Sequence, residues 1–356
     1  MPSPGIAWEV TIDPESRGAR APRPSMSDVA RHAGVALGTV SNTLNNPEKV
    51  TEATRRKVLA AVAELGFVRN EAARSLAAGS SDTIGLVVAD LGNSFFVDIA
   101  RGAEQVMRRH GMNVLIANSD VDPAKEMGNL ELFERARVGG ILLAPLDTPL
   151  VKSRSLPLHS TPTVLVNYES PTHSYSGVVV DERHGGMLAA RHLLQLGRRR
   201  LVFMGGPLFL SAVRERYEGA QAAVESTPGA TIELMETRGV NFRHGRQAAA
   251  ELLARGPGRF DGIVGAADLL AVGAVQTLAD REGFRVPGDI AVTGYDNNHF
   301  ASESSIPITT VGQPGEEMGR VAADLLLEQI AHRDAAKRTI VLEPHLVPRA
   351  STLGGS

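Results

Sequence analysis

Ser27-Asp28-Val29-Ala30-Arg31-His32-Ala33-Gly34-Val35-Ala36-Leu37-Gly38-Thr39-Val40-Ser41-Asn42-Thr43-Leu44-Asn45 is the stretch that decides the fold of the N-terminal part of this chain. Ser27 is suited to cap a helix, Val29, Ala30 and Ala33 form an apolar stripe, and Gly34 can take the left-handed conformation that closes it. A second short helix fits residues 37–45, with Val40 and Leu44 four apart on one face. Thr51, with Glu52 and Thr54, opens a third helix in which Val58, Leu59, Val62 and Leu65 are expected to face inward before Gly66 ends it. Three short helices, the first two joined by a glycine-containing turn, make a helix-turn-helix unit over residues 26–69.

Upstream, residues 1–25 hold five prolines with little periodicity, the composition of a disordered tail. Downstream, residues 71–78 could form a fourth helix of about two turns, marginal on its own in water. Residues 70–81 therefore read as a hinge helix and linker, ending in Gly79-Ser80-Ser81.

From residue 82 to 356 the pattern changes. Apolar runs of strand length (84–89, 114–117, 140–143, 164–166, 178–180, 201–204, 263–265, 290–293) alternate with amphipathic stretches near 97–109, 130–136, 186–196, 220 and 269–279. Such alternation predicts parallel sheets covered by helices, and the length suggests two of them, the second lobe running over roughly 181–305. In this architecture ligands sit beyond the carboxyl ends of strands. Polar clusters fall there: Asp90 and Asn93, Asn118-Ser119-Asp120, Asn167, and Asp296-Asn297-Asn298.

Composition narrows the function. There are no cysteines, which excludes disulfides, thiolate zinc sites and cysteine nucleophiles. No run approaches the ~18 apolar residues of a membrane helix, and no basic stretch leads into an apolar run at the N-terminus, so a cytoplasmic location is expected. The net charge of −3 is unevenly placed: residues 26–80 carry seven Lys/Arg against five acids, and the body is acidic. A mildly basic head on an acidic body suits a polyanion at one end. No G-x-S-x-G elbow, Walker loop or zinc-type histidine pairing is found, and Asp181, His184 and His192 read as a solvated helix face rather than a metal site. An enzyme is thus disfavoured, and neither cofactor nor metal is expected.

The head sequence from Ser27 to Asn45, followed by Thr54-Arg55 and Asn70-Glu71-Ala72-Ala73-Arg74-Ser75-Leu76, closely resembles the LacI/GalR family of repressors. The resemblance continues through Thr83-Ile84-Gly85-Leu86-Val87, Asn93-Ser94-Phe95-Phe96, Arg216-Tyr217-Glu218-Gly219, Gly294-Tyr295-Asp296 and Thr310-Val311-Gly312-Gln313-Pro314. It implies a small all-α helix-turn-helix head joined to an α/β two-lobed, periplasmic-binding-protein-like effector domain. The implied function is transcriptional repression at a near-palindromic double-stranded DNA operator, bound by a homodimer and controlled by a small-molecule effector of the sugar type.

By the same resemblance, residues 37–45 form the recognition helix. Leu37, Gly38 and Asn42 would face bases, while Thr39, Ser41, Asn45, Lys49, Thr51 and Arg55 suit phosphate contacts. Asn42 stands where many relatives carry arginine, which shifts the expected preference from guanine towards adenine. Ala36 replaces a frequent serine and removes a helix cap. Asn70 belongs to the hinge segment, and Leu76 would wedge into the minor groove. In the body, the resemblance places Asn93, Phe95, Phe96, Asn167, Arg216, Asp268 and Asp296 around the cleft. It also departs there: Ala267-Asp268, Val240 and Asn167-Tyr168 stand where relatives commonly have Asn-Asp, an aromatic residue and Asp-Arg. A solute-binding transport protein, which shares the two-lobed fold, is the main rival reading and would need a signal sequence that does not precede the head.

Overall fold

The computed structural model describes residues 24–67, 81–146, 161–170, 172–256 and 258–354. The chain divides into two units, Met1–Ala77 and Ala78–Ser356. The hinge expected over residues 70–81, including Asn70 and Leu76, lies almost wholly outside the described residues.

The head holds helices α1 (Met26–Ala33), α2 (Leu37–Asn45) and α3 (Glu52–Leu65), with a single 3-10 turn at Pro47–Lys49. Gly34 and Gly66 close α1 and α3 in the left-handed conformation, at φ 63° and 61°. Helix α1 begins earlier than expected. Ser25, not Ser27, is its cap, because Asp28 lies three residues on and completes a capping box: the Ser25 amide donates to Asp28 Oδ2 at 2.9 Å and the Asp28 amide donates to Ser25 Oγ at 3.3 Å. Val29, Ala30, Val40, Val58 and Ala61 form the buried centre. Leu59, expected inside, is 44% exposed, since the inward stripe of α3 runs through 58, 61, 62 and 65 and position 59 lies off it.

The body contains two six-stranded sheets. The first has the order β11-β5-β4-β3-β1-β2, built from β1 (Thr83–Val88), β2 (Asn113–Asn118), β3 (Ile141–Leu143), β4 (Thr163–Val166), β5 (Ser176–Val180) and β11 (Thr339–Leu342). The second has the order β12-β10-β9-β8-β6-β7, built from β6 (Arg200–Gly205), β7 (Thr231–Glu236), β8 (Gly262–Gly265), β9 (Ala291–Asp296), β10 (Thr309–Gly312) and β12 (His345–Val347). All pairings are parallel except β10 with β12. The sequence reading missed β7, β10, β11 and β12. It also placed the end of the second lobe too early, since that sheet continues to Gly312 and takes a further strand at 345–347.

Helices α4 (Ser94–Arg109), α5 (Pro123–Ala136) and α11 (Gly315–Ala331) cover the first sheet. Helices α6 (Glu182–Gln195), α7 (Ser211–Glu225), α8 (Phe242–Ala254) and α9 (Asp268–Ala279) cover the second, with short α10 (His299–Glu303) and α12 (Ala350–Leu353) beside it. The chain passes between lobes between β5 and α6, between β10 and α11, and between β11 and β12. No helix among the described residues is long and apolar enough to cross a membrane.

Three helix pairs touch through reciprocal glycines. A Cβ on Gly186 of α6 would stand 1.9 Å from the Arg216 carbonyl of α7, and one on Gly219 of α7 would stand 1.9 Å from the Arg183 carbonyl of α6. Gly102 with Gly319 and Gly245 with Gly273 do the same for α4 with α11 and α8 with α9. Backbone rather than a flexible side chain is the obstacle, so a methyl group forces the helices apart. Gly186→Ala is accordingly expected to lower stability by about 1–3 kcal/mol, read as a reduced midpoint in urea unfolding followed by circular dichroism.

Candidate functional site

The head presents one face of α2. Ala36 precedes it in extended conformation and gives no side-chain cap, as the Ser-to-Ala departure led one to expect. Leu37 at its first turn is 50% exposed and Gly38 is exposed, while Thr39, Ser41 and Asn42 are half-buried. On the opposite side Val40 and Thr43 are buried, and the Thr43 hydroxyl donates to the Thr39 carbonyl at 2.8 Å. Asn45 donates from Nδ2 to Ser41 Oγ at 3.2 Å. Lys49, Thr51 and Arg55 are exposed; Thr51 caps α3, its Oγ1 accepting the Thr54 amide at 3.4 Å, and Arg55 stands 3.9 Å from Glu52. An apolar side chain left in water at a helix entry, flanked by small polar groups and cations, is suited to a base edge with phosphates beside it.

The body holds a cleft of about 820 Å³, solvent mouth included, lined from both lobes. The first lobe contributes Asp90, Asn93, Phe95, Phe96, Asn167 and Tyr168; the second contributes Ser211, Val213, Arg216, Val240, Ala267 and Asp296. Strand ends and helix starts place them. Asn93 caps α4, its Oδ1 accepting the Phe95 amide at 3.1 Å, and Asp296 ends β9.

Arg216 lies at the floor, 6% exposed. Its Nε donates to Glu182 Oε2 and its Nη2 to Glu182 Oε1, both at 2.8 Å, and Nη1 donates to the Ala266 carbonyl at 2.7 Å. The guanidinium carbon lies 3.7 Å from the centre of the Tyr295 ring. Burial disfavours the charge on Arg216, but the hydrogen-bonded Glu182 carboxylate, with Asp296 and Tyr295, more than offsets this and raises its pKa.

Asp296 joins three segments. Its Oδ2 accepts from Asn93 Nδ2 at 2.8 Å, its Oδ1 accepts from Gln313 Nε2 at 2.7 Å, and Arg216 Nη1 stands 3.7 Å away. These contacts hold it at φ 103°, a conformation that side-chain-bearing residues rarely adopt. Burial pushes its carboxyl up to about 6, against the opposing pull of Arg216, Asn93 and Gln313.

The cleft thus gathers six of the seven positions singled out in the body: Asn93, Phe95, Phe96, Asn167, Arg216 and Asp296. Phe95 is buried, Phe96 half-buried, and their rings stand 5.4 Å apart. Asn167 takes φ 55° directly after β4. Asp268 departs from the expectation. It is fully buried behind Ala267, and its Oδ2 accepts the Asn298 amide at 2.8 Å. Burial, then the neighbouring charge of Asp296, raise its pKa well above the carboxylate range, and it does not line the cleft. The expected solvated face of α6 also needs correction: Asp181 accepts the His184 amide at 2.8 Å as the helix cap, but His192 is buried and its Nε2 lies 2.8 Å from Thr352 Oγ1.

Sequence reasoning missed Glu182 and Gln313. Each acts through a partner distant in the chain, and only the run Thr310-Val311-Gly312-Gln313-Pro314 carried a signal for the second.

Residues 25–70 match the family model of bacterial regulatory proteins of the lacI family, and residues 190–352 match a periplasmic binding protein-like domain. The chain is 34% identical over 330 residues to the ribose operon repressor of Escherichia coli (strain K12), covering 92% of this chain and 99% of that one. Its structure is similar to that of the Lac repressor dimer bound to operator and the anti-inducer ONPF, with 25% identity, a TM-score of 0.80 and coverage of 92% and 99%. It is also similar to a complex of the transcriptional regulator CelR with cellobiose, with 31% identity, a TM-score of 0.68 and coverage of 92% and 100%. With a helix-turn-helix head and a two-lobed body, this chain belongs to the LacI family of bacterial transcription regulators.

Proposed function

We propose that the chain represses transcription as a cytoplasmic homodimer on a near-palindromic operator, and that a small sugar-like effector bound in the cleft controls it without being turned over. The observation that carries this reading is the meeting of Asn93 from one lobe with Asp296 from the other at 2.8 Å inside the cleft. A ligand seated there contacts both lobes, so it favours one arrangement of them over another, and that differential affinity is the requirement for control by population shift. The printed names of a ribose operon repressor and a cellobiose complex among the relatives support a sugar-like effector.

In the head, Leu37, Gly38 and Asn42 read bases, while Thr39, Ser41, Asn45, Lys49, Thr51 and Arg55 hold register on phosphates. The family resemblance extends this to Asn70 and the minor-groove wedge at Leu76, which require two copies of the hinge on one site.

Selection of bound DNA from a random pool by the purified protein, repeated with a panel of sugars, tests the reading. A palindrome whose recovery changes with one compound is the expected result; absence of any enriched sequence would leave the head without its assigned role. Lys49→Ala is expected to flatten the dependence of log affinity on log salt by roughly one unit for each head, measured by fluorescence anisotropy on the selected site. Arg216→Lys should remove the effect of effector on operator binding, because a single ammonium cannot keep both the bidentate bond to Glu182 and the contact with Ala266. Superimposable operator titrations with and without effector are the expected readout.

A further inference from the structure

We infer that Glu182 sets the charge selectivity of the cleft: by occupying the Arg216 guanidinium it removes an anion receptor, so that the cleft takes uncharged ligands and rejects their phosphorylated or carboxylated forms. This rests on the reading of the cleft as the effector site.

Arg216 is the only cation lining the cleft among the described residues. Three of its five N–H groups are already donated, two of them as a fork onto Glu182. A fork onto one carboxylate is the geometry by which arginine would otherwise grip a phosphate or a carboxylate ligand. The acids are also engaged. Asp296 accepts from Asn93 and Gln313 and faces Arg216 at 3.7 Å, and Asp90 Oδ1 accepts the Gly92 amide at 2.7 Å. An ionic ligand of either sign would have to break these bonds to find its partner, and Phe95, Phe96 and Val240 supply no solvent to replace them.

The surroundings repel anions further. A depression that shares Asn167, Tyr168 and Ser211 with the cleft carries Glu169, Asp181, Glu182 and Glu215. Burial, then the charges of Glu182, Glu218 and Glu169, raise the pKa of Glu215 against the pull of Arg214. Among the described residues this side is lined by acids and by no cation. What remains available to a ligand is an apolar wall and a few neutral donors and acceptors, among them Asn167 and Ser211.

The test uses inorganic phosphate, which needs no knowledge of the effector. Isothermal titration of the full-length protein with inorganic phosphate should give no cleft binding for wild type. The variant Glu182→Gln keeps the shape and one acceptor but turns the other into a donor, which releases one Arg216 N–H together with its charge, and should bind phosphate about tenfold tighter or more, as expected for one charge-assisted bond. The gain should vanish in the double variant Glu182→Gln/Arg216→Gln. Equal phosphate binding by wild type and Glu182→Gln, or a gain that survives in the double variant, would overturn the assignment.

Wild-type protein titrated with ribose and cellobiose against ribose 5-phosphate and glucuronate gives a second arm that does not depend on a variant folding. Tighter binding of the charged compounds would overturn the proposal, and binding confined to the uncharged ones supports it. If no compound binds, the effector reading fails on its own, and the phosphate titrations still decide the role of Glu182.

Discussion

A guanidinium taken out of water must keep its charge satisfied, and the second lobe is arranged around doing so for Arg216. Removing an ion from water costs several kcal/mol, which is recovered only with good geometry and further hydrogen bonds. The Glu182 fork, the Ala266 carbonyl and the Tyr295 ring together provide that. Where Glu182 meets Arg216, α6 and α7 lie closer than ordinary side chains allow. Gly186 and Gly219 make this approach possible, and Gly185 leaves room for the Tyr295 hydroxyl. The glycine contact, the ion pair and the aromatic platform are one construction. An ion pair buried at this depth is weak evidence for stability, so its place in the floor of a ligand cleft is better explained by what it presents to a ligand.

Asp296 carries that construction across the cleft. It takes one bond from the first lobe through Asn93, one from the crossing between β10 and α11 through Gln313, and faces Arg216 on α7. Its backbone is held at φ 103°, where an aspartate stays only if its surroundings over-determine it. A ligand that engages or displaces either of these two bonds, or the facing Arg216, therefore acts on the relation of the lobes and not only on one wall. No rigid path needs to be invoked. The requirement is that a bound molecule distinguish between two arrangements of the same three partners.

Much of the head was legible because its signals are local. Gly34, Thr51 and Gly66 mark helix ends by conformations or caps that need no distant partner. Ser25 was overlooked in favour of Ser27 although Asp28 sits at capping-box spacing from Ser25, and Leu59 was placed inside by hydrophobicity alone, one position off the stripe. In the body, central strands such as β1 and β8 are continuous apolar runs and could be read directly. Strands β7, β11 and β12 lie at sheet edges with partly exposed, mixed residues, so period and composition fail there. Six cleft residues followed from the family resemblance. Asp268 shows the limit, because neighbours in sequence can face opposite ways: Ala267 lines the cleft while Asp268 is turned into the lobe. Glu182 was invisible because its meaning depends on a partner 34 residues away.

The two units reach stability by different means, and this bears on how each does its work. The head has a centre of five buried residues, too few for packing alone to define every helix end. Its geometry rests on caps, at Ser25, Gly34, Thr51 and Gly66, and α2 alone starts without a side-chain cap. Helix α2 is thus positioned by its neighbours, with Val40 and Thr43 anchoring one side while Leu37 and Gly38 stand in water. The body has several buried clusters and glycine-packed helix pairs, and can keep buried charges in place within them. The lobes are joined by three chain crossings and by the polar bond of Asn93 to Asp296 at the cleft, and it is the polar bond that a ligand seated there can reach.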